Sequence, residues 1–332
     1  MSQPPNTPPA RNTAATTRIV RMRARTVAGK SRTKNRTNAP TTSGPAHPRR
    51  LVAGLMAWLD ARSRAARIEL RLEDVDPERC TPEHAREMRA ALGWLGLDWD
   101  VESLQSEGRE AHEAALDRLA ASGLLYPCTC SRSEVARHGL RAADGGWRYT
   151  GRCRARALPP AGWREADGAL RLRLPEGRVE LRDESGLDLS QDPLAEMGDP
   201  VLRRRDGAIA YHLAVVVDDA ASGITRIVRG RDLASSTAVH VVLQRALGVP
   251  TPSYRHHFLL LEESGGKLAK LHGSVSWREI ASRCDGPGFC GRLAQISGLR
   301  PDARPATPRE LLADFDWERV RSDDVVFRLP AV

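Results

Sequence analysis

RIELRLEDVD, residues 67–76, is the stretch that decides the fold. Ile68, Leu70 and Leu72 alternate with Glu69, Arg71 and Glu73, the period of two that marks a β-strand. Arg71 and Glu73 therefore project from one face of it. Upstream, Leu51, Val52, Leu55, Met56 and Leu59 recur at helical spacing and predict a helix over 51–64. Helical patterns follow at 82–95, on Ala85, Met88, Leu92 and Leu95, and at 109–122. A strand set among helices of this length predicts an α/β fold with a parallel sheet. Such sheets bind ligands beyond the carboxyl ends of their strands. Glu73, Asp74 and Asp76 fall at that end, an acidic group suited to gripping an ammonium.

From about Tyr126 to Pro200 the pattern breaks into short strands and turns rich in Arg, Gly and Pro, as an insertion would. LAVVVDD (213–219) returns to parallel-sheet character, as a strand or helix buried on both faces. ITRIVRG (224–230), the helix-like AVHVVLQRALG (238–248) and a strand at FLLL (258–261) come next. A Gly-Gly turn then opens into GGKLAKL (265–271). The chain has 51 basic residues but only four lysines, Lys30, Lys34, Lys267 and Lys270, and two of those four share this loop. Lysines so placed can neutralise a triphosphate and its leaving pyrophosphate. A merely solvated loop is the plainer alternative.

The net charge of +9 misleads, because residues 1–50 carry eleven Arg or Lys and no Asp or Glu. The remaining 282 residues sum to −2. The leader, Pro/Thr/Arg-rich, cannot bury a core and is expected to be disordered over 1–36. It reads as a solvated tail, a nucleic-acid tether or a transit peptide. No apolar run approaches the ~18 residues of a membrane helix, so no membrane partner and a cytoplasmic location are expected. Six cysteines in such a compartment argue against a disulfide framework and for metal ligation or burial. Cys128, Cys130 and Cys153, with Tyr149 between them, predict a tetrahedral zinc site in which Tyr149 is either the fourth ligand or a bystander. Arg229, after a strand, is placed to pair with a carboxylate, or to make an ordinary salt bridge. Tyr211 flanks the same segment. His47 stands before the first helix, where a helix N-terminus can meet phosphate.

Taken in order, these pieces resemble the catalytic half of the glutamyl-tRNA synthetases, a class I family with a Rossmann core. APTTSGPAHPRRLVAGL (39–55) is similar to the family's opening motif, with His47 at the first position of HIGH. LRLEDVD is similar to its LRIEDTD, YHLAVVVDDAASGITRIVRGRDL (211–233) to its substrate segment, and KLAKL (267–271) to KMSKS. The CxC…YxxxC pattern, and a chain that stops soon after the lysine loop, resemble one branch, the glutamyl-Q tRNA(Asp) synthetases. That branch activates glutamate without tRNA and esterifies it to the queuosine at the wobble position of tRNA(Asp).

The resemblance implies a Rossmann-like catalytic domain in two parts, 37–125 and 201–273, a zinc-bearing insertion at 126–200, and a C-terminal helical segment and tail at 274–332. Glutamate would be held by Thr37, Thr41, Glu73, Tyr211 and Arg229, with Glu73 at its amino group. ATP, with Mg2+, would be served by His47 and Lys270, with Lys267 assisting catalysis. Cys128, Cys130, Tyr149 and Cys153 would hold one structural zinc per chain. The partner would be the anticodon stem-loop of tRNA(Asp), and the protein a monomer. The opening motif departs from the family: Thr37 stands for its arginine, Thr41 for a serine, Arg49 for a glycine and Arg50 for a small residue. Glycine there lets a nucleotide approach the backbone, so Arg49 is expected to crowd adenine. Two alternatives stay open: a weakened or inactive paralogue that binds RNA or a partner, and a truncated glutamate-activating ligase with another acceptor.

Overall fold

Parallel strands need crossover connections, and here helices supply them on both faces of one sheet. The computed structural model describes residues 46–75, 80–262 and 275–329, and the backbone of 16–18. Strand β1 (Thr16–Arg18) is followed by α1 (Pro48–Ser63), β2 (Arg67–Leu72), α2 (Pro82–Leu95), β3 (Val101–Leu104) and α3 (Arg109–Ala121). Sequence signals account for the helix ends. Thr81 caps α2 by accepting the His84 N–H, Pro82 opens it, and Gly96 closes it in the left-handed conformation at φ 86°.

Beyond α3 lie β4 (Leu125–Cys128), α4 (Arg132–His138), β5 (Ala169–Leu172), α5 (Pro193–Glu196) and β6 (Val201–Arg203). Strands β4, β5 and β6 form an antiparallel three-stranded sheet of their own. The main sheet resumes through α6 (Tyr211–Ala221), β7 (Ile224–Gly230), α7 (Thr237–Leu247) and β8 (Ser253–His257). It runs β3-β2-β1-β7-β8, all pairs parallel. The C-terminal part holds β9 (Leu260–Leu261), α8 (Trp277–Ala281), α9 (Gly286–Ser297), α10 (Pro308–Leu311) and β10 (Val325–Val326), which pairs with β9.

Two cores follow from the alternation along the strands. Val228 of β7 faces a cluster built with α1, α2 and α9, whereas its neighbour Ile227 faces a second cluster with α3, α6 and α7. Strand β2 is buried on both sides from Ile68 onward, as an inner parallel strand must be.

Two expectations need correcting, and one left open is decided. Thr16–Arg18, assigned to a disordered leader, form a central strand paired to both β2 and β7. An inner slot between parallel strands leaves backbone groups on both neighbours to be satisfied, and the backbone of these three residues satisfies them. LAVVVDD, left open between strand and helix, is helix. Its valines pack against the cluster around α3 and α7, and that tertiary contact overrides their β preference. FLLL is not one strand. The sheet strand is β8, ending at His257, and only Leu260 and Leu261 are extended, against β10. The rest of the leader, Thr37, Thr41 and Asp76 lie outside the described residues, as do Lys267 and Lys270. Among the described residues, no helix is long and apolar enough to cross a membrane.

One buried ion pair staples α1 to the sheet. Asp60, with a fully buried side chain, accepts from Arg226 Nε of β7 at 2.8 Å and from Trp317 Nε1 at 2.7 Å. Removing one partner of such a pair strands the other charge. Asp60→Ala is expected to lower unfolding free energy by about 3–5 kcal/mol in denaturant titrations; a loss under about 1 kcal/mol would show that Glu184, the second carboxylate on Arg226, suffices alone.

Candidate active site

The N-terminus of α1 meets the carboxyl ends of β2 and β7, the edge at which parallel sheets form their ligand cleft. His47 caps that helix, its Nδ1 accepting the Arg49 N–H at 3.4 Å. Arg49 reaches Asp232, just past β7, at 2.5 Å. Arg50 lies within the field of Glu73, just past β2. Burial brings the Arg50 guanidinium down to about 10, against the opposing pull of the Glu73 carboxylate and with Arg49 repelling it. Glu73 itself is buried. Arg49, read from sequence as crowding adenine, thus pairs with the acid past β7, and Arg50 lies in the field of the acid past β2.

Not every acid of the 70–76 stretch faces this cleft. Arg71 donates to Asp219 at 2.8 Å and to the Asp218 carbonyl at 3.3 Å, clamping β2 to α6. Asp218 also accepts from Gln105 and bonds His112, each at 2.6 Å. Asp74 caps the turn after β3, accepting from the Ser106 N–H and hydroxyl at 2.7 Å each. Of the described acids at the end of β2, Glu73 is the candidate for substrate; Arg71 and Asp74 fix the strand end beside it.

Arg229 lies one residue before the end of β7. Its Nη2 donates to Thr237 Oγ1 at 2.6 Å and to the Leu233 carbonyl at 3.2 Å, and its Nε donates to His256 at 2.9 Å. Nη1 lies 3.4 Å from His240 Nδ1. The ring of Tyr211, at the start of α6, stands edge-on to His240 with centroids 5.4 Å apart. Tyr211 and Arg229 are therefore neighbours through His240. Gly230 lets the chain turn tightly here: a Cβ would lie 2.8 Å from Asp232 Oδ1 and 3.1 Å from Leu259 Cδ2. His240, His256 and Thr237 escaped the sequence reading. The adjacent pair His256-His257 at the end of a strand was the one available signal, since two consecutive buried histidines on β8 must face opposite sides.

The cysteines converge away from this cleft, beyond the end of β4. The Sγ atoms of Cys128, Cys130 and Cys153 all lie within 4.8 Å of one another. Cys130 and Cys153 are 3.6 Å apart, and Tyr149 Oη is 3.5 Å from Cys128 Sγ and 3.9 Å from Cys130 Sγ. A tetrahedral zinc with bonds of about 2.3 Å requires sulfurs about 3.8 Å apart, so the donor set fits a zinc ion with little adjustment. Burial alone would raise the Cys153 thiol, yet hydrogen bonds from Tyr149, the Thr129 backbone and Cys130 bring it to about 7. Arg171 of β5 lies over the Tyr149 ring, 3.7 Å from its centroid. Gly198, at φ 71°, admits the Tyr149 backbone, whose oxygen would lie 2.4 Å from a Cβ there. Cys290, by contrast, is buried among apolar side chains, which push its thiol up to about 12.

Residues 36–299 match the family model for tRNA synthetases class I (E and Q), catalytic domain. The glutamyl-Q tRNA(Asp) synthetase of Symbiobacterium thermophilum is 41% identical over 311 residues, spanning 88% of this chain and 95% of that protein. That of Nitratidesulfovibrio vulgaris is 39% identical over 289 residues, 82% of this chain and 89% of that one. Among solved structures, a glutamate tRNA ligase from Elizabethkingia meningosepticum in complex with its amino acid superposes with a TM-score of 0.72 at 24% identity. It covers 86% of this chain, which spans 65% of that ligase's length. This likeness establishes the fold, a class I synthetase catalytic domain. By family model and by relatives nearly matched end to end, the chain belongs to the class I (E and Q) tRNA synthetases, in the group of the glutamyl-Q tRNA(Asp) synthetases, and is a ligase.

Proposed function

We propose that this protein activates glutamate with ATP and esterifies it to queuosine of tRNA(Asp). The observation that supports the reading most is that Glu73, just past β2, and Arg229, near the end of β7, stand at the same carboxyl edge of one parallel sheet, with Tyr211 beside Arg229 through His240. That edge is where such sheets take ligands. Glu73 receives the substrate ammonium, and Tyr211 and Arg229 its side-chain carboxylate. Thr37 and Thr41 complete the glutamate site. An oxygen of the α-carboxylate attacks the α-phosphate of ATP, the bond to the bridging oxygen breaks, and pyrophosphate leaves; Mg2+, bound with ATP, would neutralise phosphate charge. A hydroxyl of the cyclopentene-diol then attacks the acyl carbon of glutamyl-adenylate, and AMP departs. No covalent enzyme intermediate is needed, so catalysis is alignment and charge neutralisation.

His47 at the start of α1 and Lys270 serve the phosphates, and Lys267 assists the departing pyrophosphate. Lys270→Ala is expected to lower the exchange rate by about 10²–10³, the effect of losing one donor to transition-state charge; an unchanged rate removes the loop from the mechanism. Zinc, held by Cys128, Cys130, Cys153 and Tyr149, would tie the turn at 149–153 to the end of β4, supplying structure rather than reactivity. The protein acts as a monomer on the anticodon stem-loop. Charging assays on tRNA(Asp) with and without queuosine test the acceptor: glutamate should attach only to the modified RNA. Equal charging of both would assign the ester to another site.

A further inference from the structure

Arg229, one residue before the end of β7, is held from behind by a buried relay that reaches in from the segment between β5 and β6. Arginine is a donor with no acceptor and does not lose its proton. The nitrogen that receives Arg229 Nε, His256 Nε2 at 2.9 Å, must therefore present its lone pair. The imidazole proton then sits on Nδ1, which donates to Asp183 Oδ2 at 2.6 Å. Both the Asp183 and His256 side chains are fully buried. Burial lowers the affinity of His256 for a second proton, against the opposing pull of Asp183, which keeps the ring neutral and its acceptor available. Asp183 is fixed in turn by the N–H of Ser185 at 2.8 Å and by the Ser185 hydroxyl. The next residue docks its loop onto β8: Glu184 N–H donates to the Tyr254 carbonyl, and its own carbonyl accepts from Arg255, each at 2.8 Å. Asp183 belongs to neither the main sheet nor its crossover helices.

We propose that Asp183 and His256 are positioning residues for Arg229, fixing the plane of its guanidinium so that it meets the substrate carboxylate already oriented and discriminates glutamate from glutamine. This rests on the reading of Arg229 as the carboxylate holder. Relieved of the relay, the guanidinium would keep its charge but lose its set orientation, and the direction of a charge-assisted hydrogen bond to the carboxylate depends on that orientation.

The test is steady-state ATP–pyrophosphate exchange by the full chain, with KM for glutamate and for ATP measured separately and folding checked by thermal melting. His256→Leu and Asp183→Ala should raise KM for glutamate about tenfold or more, the loss of one charge-assisted hydrogen bond. They should leave KM for ATP within about twofold and erode glutamate-over-glutamine selectivity by a similar factor. His256→Gln, which keeps one acceptor and one donor, should rescue most of the loss. If His256→Leu does not fold, Asp183→Asn carries the test, with a rise of about threefold or more in the glutamate KM alone. Equal effects on both KM values, or no effect on either, would overturn the relay. Arg229→Ala separates the two claims. If it raises KM for glutamate while the relay variants do not, the relay alone falls; if it leaves that KM unchanged, the carboxylate role of Arg229 falls and the relay with it.

Discussion

Glu73→Gln should reduce kcat/KM for glutamate in the exchange reaction by about a thousandfold without unfolding the protein. Glutamine keeps the shape of the side chain and removes its charge. Removing one member of a desolvated, hydrogen-bonded charge pair costs about 2–5 kcal/mol, and three decades correspond to about 4 kcal/mol. The setting strengthens the expectation. Glu73 is buried and lies in the field of Arg50, so its loss leaves one cation in the cleft without its opposing charge and directed at an incoming ammonium. Exchange kinetics at saturating ATP, with melting curves for both proteins, measure the effect. An efficiency within about threefold of the parent would remove Glu73 from the ammonium site, since that is under about 1 kcal/mol.

Cys128→Ser should abolish bound zinc and loosen the segment between β4 and β6. Structural zinc in small peptides contributes an apparent ~10–16 kcal/mol at neutral pH, and a segment built on so small a sheet has little else to replace it. Metal analysis of the purified protein should fall from about one zinc per chain to none. Limited proteolysis should then cut first within 129–168. Because Asp183 follows in the same segment, the glutamate KM should rise as well. Full zinc occupancy in the variant would refute the ligand set.

The sequence showed the frame of this molecule more clearly than its wiring. Helix α2 was legible to the residue because Thr81, Pro82 and Gly96 mark its ends locally. Strand β7 was legible as a short run between the valine segment and the helical pattern at 238–248, and all of it but Thr225 is buried. LAVVVDD was ambiguous for a physical reason: a short valine run has no period of its own, and only packing against α3 and α7 decides it. The strand inside the leader was hidden by composition, since three extended residues in a basic, Pro-rich stretch carry no apolar signature. At the site, the acidic run appeared as one cluster but divides by task, Asp74 going to Ser106 and Glu73 to the cleft. The relay behind Arg229 joins residues 73 and 27 positions apart, and no local pattern reports such a pairing. The cysteines were readable because zinc demands close donors, and 128, 130 and 153 share one irregular segment.

Glutamate activation at the carboxyl edge of this sheet, independent of RNA, is the claim from which the rest descends. The direct measurement is ATP–pyrophosphate exchange by the purified full chain, with glutamate as the sole amino acid and RNA removed by nuclease. Exchange that depends on glutamate and proceeds without tRNA is the expected result. Exchange that appears only when tRNA is added, or none at any glutamate concentration, would contradict it.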